Sequence, residues 1–344
     1  MSTIPTEREG INGLDRATLC ALPTPLVEAK RLAESLGRTR LFIKRDDLTG
    51  LALGGNKPRA CEFVMGQAKA SGHDVVIAVG PQHSNQLCAI AAAAKKCGMP
   101  AILLLLRGDD RVRGNLLLFR ILGAEVRFTH VDPANIEEAY DQMEALADHL
   151  QKEGARPYKL RYGPLPLVGT AGYVMLMSEM LEQLSLQQSG GAPTGTRHIF
   201  VGSGSGLTQA GLILGDKVLG GGCWIHGVML DGQVEQEEHE RNVLKAVETA
   251  AALFGHDLSI GADDIRCLPG YGADDAAAET KATEAMKLAA RSEGLLLDPV
   301  YTAKVMAAMI DQIRAGLIPP QDTVVFYHSG GIPAIFSHCK AEAF

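Results

Sequence analysis

"DVVIAVGPQHSNQLCAIAAAAKKCGMPAILLLL" (Asp74–Leu106) is the stretch from which the fold is read. It opens on a β-branched run, Asp74–Gly80, and closes on an aliphatic run, Pro100–Leu106. Between them lies a helical pattern, Ser84–Cys97, with Ser84 in the N-cap position, Lys95 and Lys96 in the last turn and Gly98 just beyond. Each of those residue types suits its end of a helix. Strand, helix and strand in this rhythm are the signature of a parallel βαβ unit.

The same rhythm extends in both directions. Arg40–Asp47 and Ala124–Val131 read as strands, Pro58–Ser71 and Gly114–Leu122 as helices. Farther on, Arg197–Gly202, Cys223–Leu230 and Thr323–Ser329 read as strands, and Ala171–Gln187, Val234–Phe254, Ala276–Glu293 and Tyr301–Ala315 as helices. Gln187–Arg197 ("QQSGGAPTGTR") is the most loop-like stretch. The expected architecture is α/β: two open, twisted, mostly parallel sheets flanked by helices, with a cleft between two lobes. Residues 1–57 and 168–344 are assigned to a large domain and 58–167 to a small one. Ligands in such sheets sit outside the carboxyl ends of the strands.

The bulk numbers agree with that class. A chain of 344 residues is too long for one small core. Hydrophobic residues make up 46%, charged residues 21% and aromatics only 5%, which favours α/β layers over a β-sandwich. A net charge of -7 without a dense basic run excludes nucleic acid as the main partner. Seven scattered cysteines lack CxxC spacing, so neither a disulfide framework nor structural zinc is expected. The polar start "MSTIPTEREGING" has no apolar signal core, and no apolar run reaches a membrane-spanning length. The expectation is a protein of the reducing cytoplasm, without a membrane partner and without a metal. Asp46 and Asp47 are adjacent and point apart in an extended stretch.

Four Gly-rich turns carry the chemistry. In "VGSGSGLTQAGL" (Val201–Leu212) a strand runs through glycines and hydroxyls into a helix start, where backbone N–H groups and the helix dipole favour an anion. It is not a dinucleotide fingerprint, since Leu stands at 207, and no GK[ST] follows to make a P-loop. A bare tight turn would explain the glycines; Ser203, Ser205 and Thr208 add donors that point to a phosphate. In "HSNQL" (His83–Leu87) capping explains Ser84, while Asn85 and Gln86 offer further donors, suited to a substrate carboxylate beside His83. In "GGNKPR" (Gly54–Arg59) Lys57 stands in a tight turn at the start of a helix. A lysine beside a phosphate-binding loop suggests a Schiff base with pyridoxal phosphate, a chemistry that needs a neutral amine. The fourth turn, "HSGGIPA" (His328–Ala334), closes the last strand.

Taken in order, "LPTPL" (Leu22–Leu26), "IKRDDLTGLALGGNKPR" (Ile43–Arg59), "SNQ" (Ser84–Gln86), "GSGSGLTQAGL" (Gly202–Leu212), "PGYG" (Pro269–Gly272), "LLLDPVYTAKVMAAMI" (Leu295–Ile310) and "FYHSGGIPAIF" (Phe326–Phe336) resemble the fold-type II pyridoxal-phosphate enzymes, which are tryptophan synthase β-like. Within them the chain resembles the D-cysteine desulfhydrase / 1-aminocyclopropane-1-carboxylate deaminase family over nearly its full length. The resemblance implies a catalytic set of Lys57, Ser84, Tyr271 and Tyr301, with Lys57 as Schiff-base lysine and acid/base and the two tyrosines facing the substrate. It implies Asn56, Ser203, Gly204, Ser205, Gly206, Thr208 and Ser329 around the cofactor, Ser329 at the pyridine nitrogen. Ser84, Asn85 and Gln86 would hold the substrate carboxylate. The chain departs from the family at His83 (usually Gln), Cys88 (often Arg) and Leu207 (often Gly). In the cyclopropane deaminases a Glu follows the tyrosine of the DPVY motif, where this chain has Thr302. The expected function is α,β-elimination from a small β-substituted amino acid such as D-cysteine, giving a 2-oxo acid, ammonia and sulfide, in a homodimer. Cyclopropane deamination, cysteate sulfo-lysis and β-substitution are the alternatives among enzymes, and a ligand-binding homologue without chemistry the alternative of another class.

Overall fold

In a computed structural model, residues 11, 13–38, 40–108, 111–187, 195–230, 232, 234–272 and 276–339 are described. Among the described residues, ten strands form two sheets. They are β1 (Leu26–Glu28), β2 (Leu41–Arg45), β3 (Val75–Pro81), β4 (Ala101–Leu106), β5 (Glu125–Phe128), β6 (Pro157–Leu160), β7 (Arg197–Ser203), β8 (Cys223–Met229), β9 (Arg266–Leu268) and β10 (Thr323–His328). The six-stranded sheet runs β1-β2-β10-β7-β8-β9 and the four-stranded sheet β5-β4-β3-β6. All pairings are parallel except β1 with β2.

The opening βαβ unit appears as read. β3 and β4 pair in register from Val76 opposite Ala101 to Pro81 opposite Leu106, and helix Asn85–Lys96 joins them. β4 is buried along its whole length, as a parallel strand covered on both faces must be. The reading misses β1, β6 and β9, each of three or four residues and each at a sheet edge, and it misses the 17-residue helix Ile136–Lys152. Most of the loop expected at Gln187–Arg197 lies outside the described residues.

One apolar core joins the sheets. It runs from Val76 and Leu103 on one sheet, through Phe63 and Tyr173 on the helices Lys57–Ala70 and Ala171–Leu186, to Ile199 and Val325 on the other. Separate clusters cover the outer faces: Ile77, Leu104 and Met143 on the smaller sheet, Phe200, Met306 and Phe326 on the larger. Two sheets back to back on shared helices leave the carboxyl ends of β3, β7 and β10 facing common space. No helix among the described residues is long and apolar enough to cross a membrane, and all seven cysteines are free.

Candidate active site

The turns after β3, β7 and β10, together with Gly54–Lys57, line one cavity of about 710 Å³. It brings together Asn56, Lys57, Ser84, Asn85, Gln86, Gly204, Ser205, Gly206, Thr208, Tyr301 and Ser329, eleven of the residues that the sequence singles out. Ser203, Tyr271 and His83 are not among its lining residues.

The conformation that presents Lys57 requires glycine. Gly54 and Gly55 have φ of +71° and +106°. A Cβ on Gly54 would lie 2.0 Å from the Asp47 carbonyl oxygen, and one on Gly55 2.9 Å from that of Ser329. In return the Gly55 N–H donates to Asp46 O (2.8 Å) and the Asn56 N–H to Ser329 O (3.0 Å), pinning this turn to the end of β10. Lys57 then opens helix Lys57–Ala70, half-buried, its amine without a hydrogen bond or ion pair to any described residue. Burial lowers its ammonium below the ordinary lysine value, with Cys61 a smaller opposing influence.

Beneath the turn lies a buried ionic cluster. Asp46, fully buried, accepts from Arg59 Nε (2.6 Å) and Nη2 (2.8 Å), Thr24 Oγ1 (2.7 Å) and Tyr327 Oη (2.6 Å). Arg59 Nη1 also donates to Glu179 (3.0 Å), which pairs with Lys44. Lys44 is fully buried and donates further to Thr24 O and Gln183, each at 2.7 Å. Asp47 pairs with Arg45 instead; the two aspartates are not in extended chain as expected, because the strand ends at Arg45 and Asp46–Leu48 forms a 3-10 turn.

The turn after β7 is an anion cradle. Gly206 is the N-cap of helix Leu207–Leu219, at φ +78°, and no side chain caps that end. The backbone N–H groups from Ser205 to Gln209 have no acceptor among the described residues. A Cβ on Gly204 would meet nothing within 4 Å, so that wall is open. Asn56 Nδ2 donates to Thr208 Oγ1 (3.0 Å), tying the lysine turn to this loop. Ser203 departs from expectation. Gly202 and Gly204 line the cavity, and strand alternation turns Ser203 to the opposite side. There, almost fully buried, its hydroxyl donates to Gln209 Oε1 (2.7 Å) and accepts from His239 Nε2 (2.8 Å).

Ser84 is the N-cap that the sequence indicates: its Oγ accepts from Leu87 N at 3.2 Å. Gln86 Nε2 donates to Gly163 O (2.9 Å). His83 is exposed, its ring 6.1 Å from that of His338. Cys88 lines the cavity with its thiol pushed up to about 11 by burial, so it is neutral near pH 7. Leu207 lines it too, as the first residue of its helix.

Asp298 organises the "DPVYT" turn. Its carboxylate accepts from Val300 N, Tyr301 N and Thr302 N, each at 2.9 Å, and from Thr302 Oγ1 at 2.7 Å. Tyr301 is thereby turned to the cavity, its hydroxyl pushed up to about 12 by burial and then by Asp298. Thr302 is fully buried and absent from the cavity wall. Tyr271 lies elsewhere: its hydroxyl donates to Asp311 Oδ2 (2.8 Å), and Lys281 stands over its ring. Sequence reasoning missed Tyr162 and Asn115, which also line the cavity. No group of three His, Cys, Asp or Glu side chains placed to hold a metal occurs among the described residues.

A phosphorylated aldehyde fits this wall, since open N–H groups suit its phosphate and an unpaired amine of lowered basicity suits its carbonyl. Known proteins agree. The chain is 36% identical over 325 residues to a Pyrococcus abyssi protein that carries 1-aminocyclopropane-1-carboxylate deaminase as a provisional name, covering 94% of this chain and 93% of that one. It is 32% identical over 329 residues to a D-cysteine desulfhydrase of Salmonella typhi, covering 94% and 96%. A crystal structure of an ACC deaminase homologue superposes with a TM-score of 0.84 at 31% identity, over 98% of each chain. The family model "Pyridoxal-phosphate dependent enzyme" matches residues 17–330, a span that takes in the first three Gly-rich turns and the start of the fourth. The chain therefore belongs to the pyridoxal-phosphate dependent enzymes, with pyridoxal phosphate as its cofactor and lyase chemistry as its class.

Proposed function

We propose that the enzyme carries out α,β-elimination on a small amino acid with a neutral β-substituent, D-cysteine plus water giving pyruvate, sulfide and ammonia. One observation carries this reading: among the described residues lining the cavity, Lys57 is the only Lys or Arg, and there is no Asp, Glu or His. A sulfonate in a dry site needs a cationic partner, which argues against cysteate. With Thr302 engaged by Asp298 and Ser329 on the wall, a ring nitrogen would face a neutral hydroxyl. When bound, pyridoxal phosphate supplies an electron sink for charge developing at the substrate α-carbon. An unprotonated ring nitrogen is a weaker sink, which suits a reaction whose leaving group soon carries the charge away.

The chain's own groups have matching tasks. The N–H groups at Ser205–Gln209 and the Thr208 hydroxyl hold the phosphate. Lys57, its basicity lowered by burial, takes the α-proton as a neutral amine. The Ser84–Gln86 turn, at a helix N-terminus, holds the carboxylate. A homodimer in a reducing cytoplasm belongs to the same reading, the dimer on the family resemblance alone and the compartment on the free cysteines. So does the division into residues 58–167 and the remainder, supported by the membership of the two sheets.

The test compares products. Pyruvate release from D-cysteine or β-chloro-D-alanine is expected to exceed 2-oxobutyrate release from 1-aminocyclopropane-1-carboxylate by about tenfold or more. Faster turnover of the cyclopropane would make the enzyme a deaminase instead, and sulfite release from cysteate a sulfo-lyase. Ser84→Ala bears on the carboxylate site. Loss of the cap costs about 0.5–2 kcal/mol of stability. Loss of charge-assisted contacts raises KM roughly 10- to 100-fold. Unchanged kinetics with a lower melting temperature would leave Ser84 a cap alone.

A further inference from the structure

Asn115 sits in the first turn of helix Gly114–Ile121, 5% exposed, on the wall of the cavity. Its Nδ2 donates twice, to His83 O at 2.7 Å and to Asn85 Oδ1 at 2.9 Å. The first bond fixes its orientation. A backbone carbonyl is an acceptor that no amide flip can convert, so the Asn115 amide must present nitrogen to it. The second bond then fixes Asn85. Two NH2 groups cannot face each other, so Asn85 must offer its oxygen to Asn115 and turn its own NH2 elsewhere. Asn85 Nδ2 donates to nothing among the described residues, and Asn85 lines the cavity. Its neighbour Gln86 already uses Nε2 on Gly163 O, so Asn85 is the tandem amide with both donors open. Asn115 Oδ1 is buried without a partner, which shows that the side chain is held there by its two donations and not by satisfaction of its acceptor.

We infer that Asn115 is a positioning residue for the substrate carboxylate: by holding Asn85 Oδ1 it turns the Asn85 NH2 into the cavity as a donor. This rests on the reading of Ser84–Gln86 as the carboxylate site. Its consequence is specific to one substrate group. A ligand with a carboxylate depends on Asn115, and the same ligand without one does not.

The test uses the cofactor-loaded enzyme and two amines, alanine (whichever enantiomer binds) and ethylamine, with dissociation constants from calorimetry. Asn115→Ala is expected to weaken alanine about tenfold and leave ethylamine unchanged. Asn115→Asp sets a carboxylate against two acceptors, His83 O and Asn85 Oδ1, and turns the Asn85 oxygen inward; the loss is expected to reach about 100-fold. Asn85→Ala should match the first loss, and the Asn85→Ala/Asn115→Ala pair should be no weaker than Asn85→Ala alone, because the two act as a unit. If Asn85→Ala weakens alanine while both Asn115 variants bind it normally, Asn115 has no such role and the carboxylate site stands. If Asn85→Ala and Ser84→Ala both leave alanine unaffected, the carboxylate is bound elsewhere and the role falls with the site. Equal losses for alanine and ethylamine in the Asn115 variants would make Asn115 a packing residue.

Discussion

Lys57→Ala removes turnover, by about 10³-fold or more, and leaves the fold standing. The chemical half follows from the cavity: Lys57 is the only amine on its described wall, so no second side chain can replace it as carbonyl partner or base. The structural half follows from the bonds that Lys57 does not make. Its amine has no hydrogen bond to a described residue, Pro58 still opens the helix, and Ala is the best helix former. Far-ultraviolet circular dichroism should be unchanged while the visible band of the bound cofactor is lost. Lys57→Arg is the sharper control. It keeps the positive charge, but a guanidinium cannot supply a neutral amine, so it should be as inactive as the alanine variant. Borohydride treatment followed by peptide mapping decides the assignment. Cofactor fixed to Lys44 in the variant would overturn it, although Lys44 is fully buried and held by three acceptors.

How much of this was legible depended on the range of the signal. The βαβ rhythm is local, and β3, β4 and β7 fall within a residue or two of their expected bounds. The three-residue β1 and β9 are too short for any periodicity to register; the sheet supplies their pairing, and the sequence does not advertise it. Lys57 and Ser84 were legible because glycines and a cap mark the backbone around them. Ser203 was misread for a reason available in advance: beside cavity-facing Gly202 and Gly204, the pleat sends it the other way. Tyr271 was placed at the substrate by resemblance, yet its hydroxyl's partner is Asp311, forty residues away, a pairing that only the fold reveals. Asn115 was hidden for the opposite reason. It sits inside an apolar helical run and looks like an ordinary polar position until the chain brings it beside Asn85. Thr302 was read by likeness to a catalytic position, and the capping Asp298 four residues before it gave the local alternative.

Asp46→Ala is expected to cost about 3–5 kcal/mol of stability, the largest loss for a single polar side chain near the site. The reason is what stays behind. Arg59 is 1% exposed and would lose both of its bonds to Asp46, retaining Glu179, while Tyr327 Oη loses its acceptor in a dry interior and Thr24 Oγ1 keeps only the longer bond to Glu179 Oε1 (3.3 Å). Arg107→Ala is the contrast: Arg107 is 75% exposed, and loss of its surface pair with Asp132 costs about 0–1 kcal/mol. Denaturant titration of the two variants separates burial from charge pairing as the cause, and equal midpoints would show that the Asp46 cluster contributes no more than a surface pair. The same cluster sets an acid limb. Burial alone would raise the Glu179 carboxyl, but Arg59 and Lys44 outweigh it and hold the group below its ordinary value of 4.5. A carboxyl with a lowered native pKa contributes its full stability above the unfolded value and loses it as pH falls through the native one. The stability gap between wild type and Glu179→Gln should therefore be widest at neutral pH and close as pH drops below about 4.5. A gap that widened in acid would mean that the Glu179 carboxyl is protonated more readily in the native protein than in the unfolded chain, and that burial, not Arg59 and Lys44, governs it.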